Sequence, residues 1–373
     1  MKKNSVSNTQ RPAARRRILS AGMAAAVLAG AGPGIIVPQF ANAAAPGSNW
    51  AADGHDTGVG YKAGQILFAN DARFTESYYS EPVTNYLVGW RDPNDIEARL
   101  NFISPAVSVG TARRFEWKAA VNAEEFLSEI VDDQRAIGSD FKTVQYTGTD
   151  VVDKTYNKGL TYIADLDGLV GTNWQNQKAA KLLRRLYRNE FRRGIAALSA
   201  AGTNQAYTWD TTAGKNPDQD LKTDLITATT ATGIRPNRIL YGDTAFNKRG
   251  LCYEAQVNMT AYASIGLLQP KDLAARLMVD EVQVSRERYQ SAAAAKSEIV
   301  SNLIFAYYAQ DGVDVEDATN LKRFVSEFDT EQGGGRVRVY VQQISSKLVA
   351  ITVEHYSKIV VTYSGGIRKW TIS

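Results

Sequence analysis

Residues 216–250 constrain the chain most tightly, because they read as helix, stop, strand and helix in immediate succession. Asn216 suits an N-cap, and Pro217 suits the first helical position, where no amide donor is needed. Asp218 and Asp220 fall in the first turns, where the helix dipole favours negative charge. Leu221, Leu225 and Ala228 recur at i, i+4 and i+7, so one face is apolar. Gly233 can take the left-handed position after the helix, and Pro236 prevents the helix from resuming. Residues 239–241 then read as a short buried strand, with Asp243 as the cap of a second helix running to Gly250.

Within this stretch, Thr232-Gly233-Ile234-Arg235-Pro236-Asn237-Arg238 precedes an apolar strand, a glycine and a short helix. The string resembles the major capsid proteins of tailed bacteriophages, in which a G-x-x-P-N turn leads into a strand and helix of the axial domain.

Residues 177–201 give the longest helix pattern. Leu183, Tyr187, Phe191, Ile195 and Leu198 form one stripe, joined by Leu186 and Gly194. Lys178, Lys181, Arg184, Arg185, Arg188, Arg192 and Arg193 cover much of the remainder against a single Glu190, and Gly202 ends the run. At about 1.5 Å per residue this is a rod of roughly 37 Å. Its basic residues are those of a solvated face or of a face turned to DNA or an acidic neighbour. In the resembled family this is the spine helix, and its place near the shell interior makes Lys181, Arg184, Arg185, Arg188 and Arg192 the candidate DNA- or neighbour-facing residues.

Charge sharpens the picture at the N-terminus. The formal net charge is +4, yet Lys2, Lys3, Arg11, Arg15, Arg16 and Arg17 supply all the charge of residues 1–43. Setting those six aside leaves 37 basic against 39 acidic residues, which excludes a uniformly basic nucleic-acid binder. A basic segment, an apolar Ala-rich run at 18–30 and Ala41-Asn42-Ala43 have the layout of a secretory leader cleaved after Ala43. Arg15-Arg16-Arg17-Ile18-Leu19 resembles a twin-arginine signal. The alternative is a flexible Ala-rich arm. The apolar run is too short and too broken by Gly and Pro for a stable membrane span.

Residues 44–72 read as an extended arm, and residues 72–110 as an aromatic-rich segment that Pro82, Pro93 and Pro105 keep irregular. The segment folds over its own core or, as a capsid N-arm does, over neighbouring subunits. Arg114–Lys118 alternates as a strand with one wet face. Asn122 and Glu125 form a capping box for a helix carrying Phe126, Ile130 and Ile137. Strand patterns follow at 142–146 and 160–163. Beyond Gly250, residues 251–269 read as loop, 270–278 as a short helix, and 282–286 and 299–308 as strands. Further strands are expected at 336–343, 348–353, 358–363 and 367–372, with Glu354-His355-Tyr356 in a turn. The closing region, from Glu354-His355-Tyr356 through Gly366-Ile367-Arg368-Lys369, resembles the last strands of the capsid fold.

No catalytic constellation emerges. The chain has two histidines and one cysteine, which leaves no disulfide framework, thiolate cluster or paired-histidine zinc site within one chain. His55 lies in the arm, and His355 beside Glu354 lacks a nucleophile at any recognised spacing, so a structural or solvated histidine is expected. Asp311, Asp314, Glu316 and Asp317 do not match a helix–loop–helix calcium site, and Gly333-Gly334-Gly335 precedes no helix. No phosphate loop, nucleophile elbow or dinucleotide fingerprint is present.

The resemblance spans residues 72–373 and implies an α+β, Hong Kong 97-like capsid fold with N-terminal arm, extended hairpin, long spine helix, and peripheral and axial domains. Its expected divisions are a leader at 1–43, the N-arm at 44–110, and the hairpin (E-loop) with an N-terminal helix at 111–170. The spine helix and start of the peripheral domain follow at 171–215, a mainly axial domain at 216–335, and a terminal sheet returning to the peripheral domain at 336–373. It further implies a non-enzymatic coat protein without cofactors or metals. Such a protein self-assembles through hexamers and pentamers into an icosahedral virion shell in the host cytoplasm, around double-stranded DNA held without sequence specificity. Scaffold, portal and maturation protease are its implied partners. Two alternatives remain: an encapsulin-like protein compartment, and an exported surface-layer or binding protein favoured by the leader.

Overall fold

The structure is a computed structural model that describes residues 78–92, 95–120, 135–141, 148–168, 171, 173–212, 214–256, 265–310, 318–328 and 335–373. All of these lie in one compact unit, Trp50–Ser373. The leader with its Ala43 site, His55, the Asn122 capping box, the 142–146 strand and the 311–317 acidic cluster fall outside the described residues.

The chain opens with helices α1 (Glu81–Gly89) and α2 (Ile96–Ile103), then strand β1 (Ala106–Ser108). This corrects the reading of 72–110 as irregular, for the part from Tyr78 onward. Pro82 sits in the first turn of α1, where a proline is tolerated, and Val83, Leu87, Ile96, Leu100 and Ile103 are buried. Strands β2 (Arg114–Ala120) and β3 (Gly148–Lys154) form the antiparallel hairpin, with Trp117 opposite Val151. Strand β4 (Tyr156–Asp165) follows and leads to the long helix α3 (Trp174–Ala201). The helix begins three residues before the expected start because Trp174 still packs against the core.

Next come β5 (Thr203–Tyr207), α4 (Pro217–Thr232), β6 (Arg238–Gly242), α5 (Asp243–Glu254) and α6 (Pro270–Leu277). The expected caps of α4 are present: Asn216 accepts from the Gln219 amide, and Gly233 is left-handed at φ 72°. At α5 two expectations are corrected. Gly242 is the cap residue and Asp243 lies in the first turn, and the helix continues through Gly250 to Glu254. Gly242 is required by close approach, since a Cβ there would lie 1.8 Å from the Ser301 carbonyl oxygen.

The remainder is β7 (Glu281–Ser285), β8 (Arg288–Gln290), β9 (Lys296–Glu298), β10 (Leu303–Tyr307), β11 (Leu321–Ser326), β12 (Arg338–Gln343), β13 (Leu348–Val361) and β14 (Arg368–Ile372). The single strand expected at 299–308 is shorter, because Ser301 turns the chain at φ 44° before β10 begins. The two strands expected at 348–353 and 358–363 are one strand of 14 residues. The polar run Glu354-His355-Tyr356 is not a turn; its side chains are buried at the middle of that strand.

Two five-stranded sheets organise these elements. In the first, β13 pairs antiparallel with β12, β11 and β4, and β1 adds to β11 in parallel. The second runs β5-β14-β10-β6-β7. The strand memberships do not follow chain order: β11 pairs with β13, and β14 pairs with β10 and so joins the sheet of β6. Three-dimensional adjacency, not chain order, decides which sheet can bury each apolar strand.

α3 bridges both sheets. Its first half buries Ala179, Ala180, Leu183 and Leu186 against Val339, Ile351 and Val353 of the first sheet. Its second half buries Phe191, Ile195 and Leu198 with α2 and with Leu240, Phe305 and Tyr307 of the second. The other face of that second sheet packs Ile239, Tyr241, Ile304 and Trp370 under α4, α5 and α6. Burial on both faces explains why β10 and residues 239–241 of β6 are continuously apolar instead of alternating.

Candidate functional site

The fold sorts the basic residues of α3 onto different faces. Arg184 and Arg188 flank the apolar stripe and are engaged within the subunit. Arg184 Nη2 lies 2.7 Å from Oδ1 of buried Asp92, with its guanidinium over the Trp90 ring. Arg188 Nε lies 3.3 Å from Glu287, which Arg99 also approaches at 3.4 Å. These two arginines fasten the helix to segments far away in sequence.

Lys181, Arg185 and Arg192 face solvent. Arg192 stacks 4.0 Å above the centroid of Tyr289, and Lys181 and Arg185 have no ion pair among the described residues. Lys178 lies on the same line, its ammonium against the Tyr162 ring and hydroxyl. The spacings from Lys178 to Lys181, Arg185 and Arg192 are i+3, i+7 and i+14, one strip along the helix. Asn189 and Ala196 are its other members, so the strip carries no carboxylate. Such a surface can neutralise a polyanion without reading its sequence.

Beneath the helix lies a buried polar knot. Glu190 is fully buried, with Lys158 of β4 at 2.8 Å and Arg193 at 2.6 Å from Oε1. Ser357 of β13 donates to Oε2 at 3.1 Å. Burial opposes ionisation of Glu190, but neighbouring His355 and the Lys158 charge outweigh it and hold the carboxyl well below the usual carboxylate range. At 3.8 Å the His355 imidazole is beyond hydrogen-bond reach, so the Lys158 contact is the stronger cause. Burial lowers the pKa values of both Lys158 and His355.

A second buried pair joins the helices on the opposite side. Arg249 of α5 meets Asp218 of α4 with Nε–Oδ1 at 2.7 Å and Nη2–Oδ2 at 3.0 Å, and Arg276 of α6 reaches the same carboxylate. Asp218 thus binds three helices together instead of serving only the dipole of its own. The signal in the sequence was present, an acid in a first turn, but its partners lie outside any local pattern.

In the first knot His355 lies close to Glu190, and Glu354 instead accepts from Tyr340 and Asn157. Among the described residues no group of three His, Cys, Asp or Glu side chains could hold a metal ion. Cys252 is buried, and burial pushes its thiol pKa up. Among the described residues, no helix is long and apolar enough to cross a membrane.

No known protein-family pattern matches the sequence, and no curated protein matches it. Solved structures do. A phage-related protein from Bordetella bronchiseptica RB50 is 14% identical, with a TM-score of 0.57 over 79% of this chain and 96% of that chain. The capsid structure of the cyanophage P-SCSP1u is 9% identical, with a TM-score of 0.45 over 73% of this chain and 86% of that one. A virus-like particle from Pyrococcus furiosus is 11% identical, with a TM-score of 0.41 over 80% and 99% respectively. At these identities the likeness is one of fold, and the first of them carries it. Two sheets bridged by one long helix, together with the β2–β3 hairpin, give this chain the α+β Hong Kong 97-like capsid fold.

Proposed function

We propose that this chain is the coat subunit of an icosahedral shell that encloses double-stranded DNA, built from hexamers and pentamers of itself. The supporting observation is the fold, matched over nearly the whole of the phage-related Bordetella protein. In this reading the chain is a structural protein of the virion and not an enzyme. It assembles in the host cytoplasm with scaffold, portal and maturation protease as transient partners. The acid-free strip of Lys178, Lys181, Arg185 and Arg192 is the surface suited to DNA, because it can meet phosphates without reading bases.

Electron microscopy of the purified full chain, combined with nuclease digestion, tests the proposal. Closed shells with nuclease-resistant DNA are expected. Closed shells filled with protein would favour an encapsulin-like compartment, and a protein that forms no shell under any assembly condition would overturn the reading.

A further inference from the structure

His355 lies at the centre of β13, buried, with neither ring nitrogen hydrogen-bonded. It faces α3 alongside Ser357 and stands directly opposite Lys158 of β4 in the strand register. Its Nε2 is 3.8 Å from Glu190 Oε1, the oxygen that also holds Lys158 and Arg193. The other ionisable groups around it are Tyr187 of α3, whose ring is 6.4 Å away, and Arg323 of β11, with Glu97 of α2 acting on both. Arg323 itself donates to Asn101 at 2.7 Å.

We propose that His355 is a proton-operated latch between α3 and β4. In the neutral state Lys158 occupies Glu190, and the imidazole is a bystander. A proton on the imidazole makes Nε2–H a cationic donor, and a shift of about 1 Å brings it within reach of Oε1. One carboxylate oxygen then faces three cations, of which the imidazole and Lys158 are themselves largely buried. Arg193 belongs to the same helix as Glu190, so its departure changes no interface. Lys158 lies directly across from the new charge, and it ties β4 to the helix. Its release leaves β4 attached to α3 by Leu160 packing and the Lys178–Tyr162 contact. Through Thr155, whose amide donates to Arg113, the change reaches the root of the β2–β3 hairpin.

The sign follows from burial. A buried neutral imidazole binds its proton less readily than one in the unfolded chain, so the latch stays closed at neutral pH and opens only below the ordinary histidine range. The inference does not depend on the shell reading, because it concerns contacts within one subunit.

Two measurements on the intact chain decide it. Exchange of the imidazole C2 hydrogen, followed by mass spectrometry, gives the titration midpoint of His355 without any substitution. Backbone hydrogen exchange of residues 156–160 is followed between about pH 8 and pH 5 and corrected for the intrinsic pH effect. We expect a midpoint below about 6.5 and a severalfold rise in β4 exchange on acidification. His355→Gln, neutral at every pH, should abolish that rise. A midpoint at or above the ordinary value, β4 exchange indifferent to pH, or an equal rise in His355→Gln would each overturn the latch. Should the variant not fold, the two wild-type measurements still decide.

Discussion

Asn237 and Ala309 exchange two hydrogen bonds, side chain against backbone. Asn237 Nδ2 donates to the Ala309 carbonyl and the Ala309 amide donates to Asn237 Oδ1, both at 2.9 Å. The carboxamide thereby imitates one rung of a sheet just beyond the β6–β10 pairing, and Nδ2 also donates to Asp280 at 3.0 Å. The asparagine of the Gly-x-x-Pro-Asn string therefore joins β6, β7 and β10 at one end of their sheet.

Replacing it tests that role. Asn237→Ala leaves the Ala309 amide without its partner and should cost about 1–3 kcal/mol. Asn237→Asp keeps the acceptor but turns a carboxylate towards Asp280 and the Ala309 carbonyl, so it should be the more damaging of the two. Urea denaturation of the subunit measures both, and an Asp variant as stable as wild type would remove the explanation.

Gly233 provides a second test, of backbone conformation. Its φ of 72° and its amide bond to Thr229 at 2.7 Å end α4 in the left-handed region. Gly233→Val must adopt this strained backbone and should lose about 1–2 kcal/mol, whereas Gly233→Asn should lose less. Equal melting temperatures for the two variants would contradict the assignment.

The Asp218–Arg249 pair predicts an acid limb of stability. Burial opposes ionisation of Asp218, but bonds from Arg249 and Arg276 outweigh it, so its folded pKa lies below the ordinary value. A depressed carboxyl contributes stability that is present above its unfolded pKa and is lost as pH falls through the folded one. Wild type should therefore weaken below about pH 4 through this group. Asp218→Asn should lack that part of the limb and be weaker by about 3–5 kcal/mol at neutral pH, because Arg249 is left buried and unpaired. Thermal melts at neutral and acid pH provide the check, and a variant matching wild type at neutral pH would refute it.

The division of the α3 arginines predicts two different phenotypes from similar substitutions. Lys181→Gln with Arg185→Gln alters only solvent-facing charge. Folding should survive, while retained DNA and its salt dependence fall. Arg184→Gln with Arg188→Gln removes partners of Asp92 and Glu287 and should cost about 1–3 kcal/mol of subunit stability. Denaturation curves and the DNA content of assembled material separate the pairs. Identical behaviour of the two double variants would defeat the division.

The sequence determined what neighbours along the chain can encode. The apolar stripe of α3, the Asn216 and Gly233 ends of α4, and the buried β6 run are patterns of period and capping. A helix must bury such a stripe, and a left-handed stop calls for glycine, whatever the surrounding fold. Tertiary structure decided everything that depends on a partner distant in the sequence. It drew β11 and β14 into sheets other than those their chain order suggested. It made Glu354-His355-Tyr356 the middle of a strand, where Tyr340 and Asn157 offer partners to Glu354 and Arg113 offers one to Tyr356, making burial of those two polar groups tolerable. It also separated Arg184 and Arg188 from Lys181 and Arg185, which differ little in sequence. A charge is spent within the subunit or left to solvent according to whether an acid from another element lies within about 4 Å, and no local pattern carries that information.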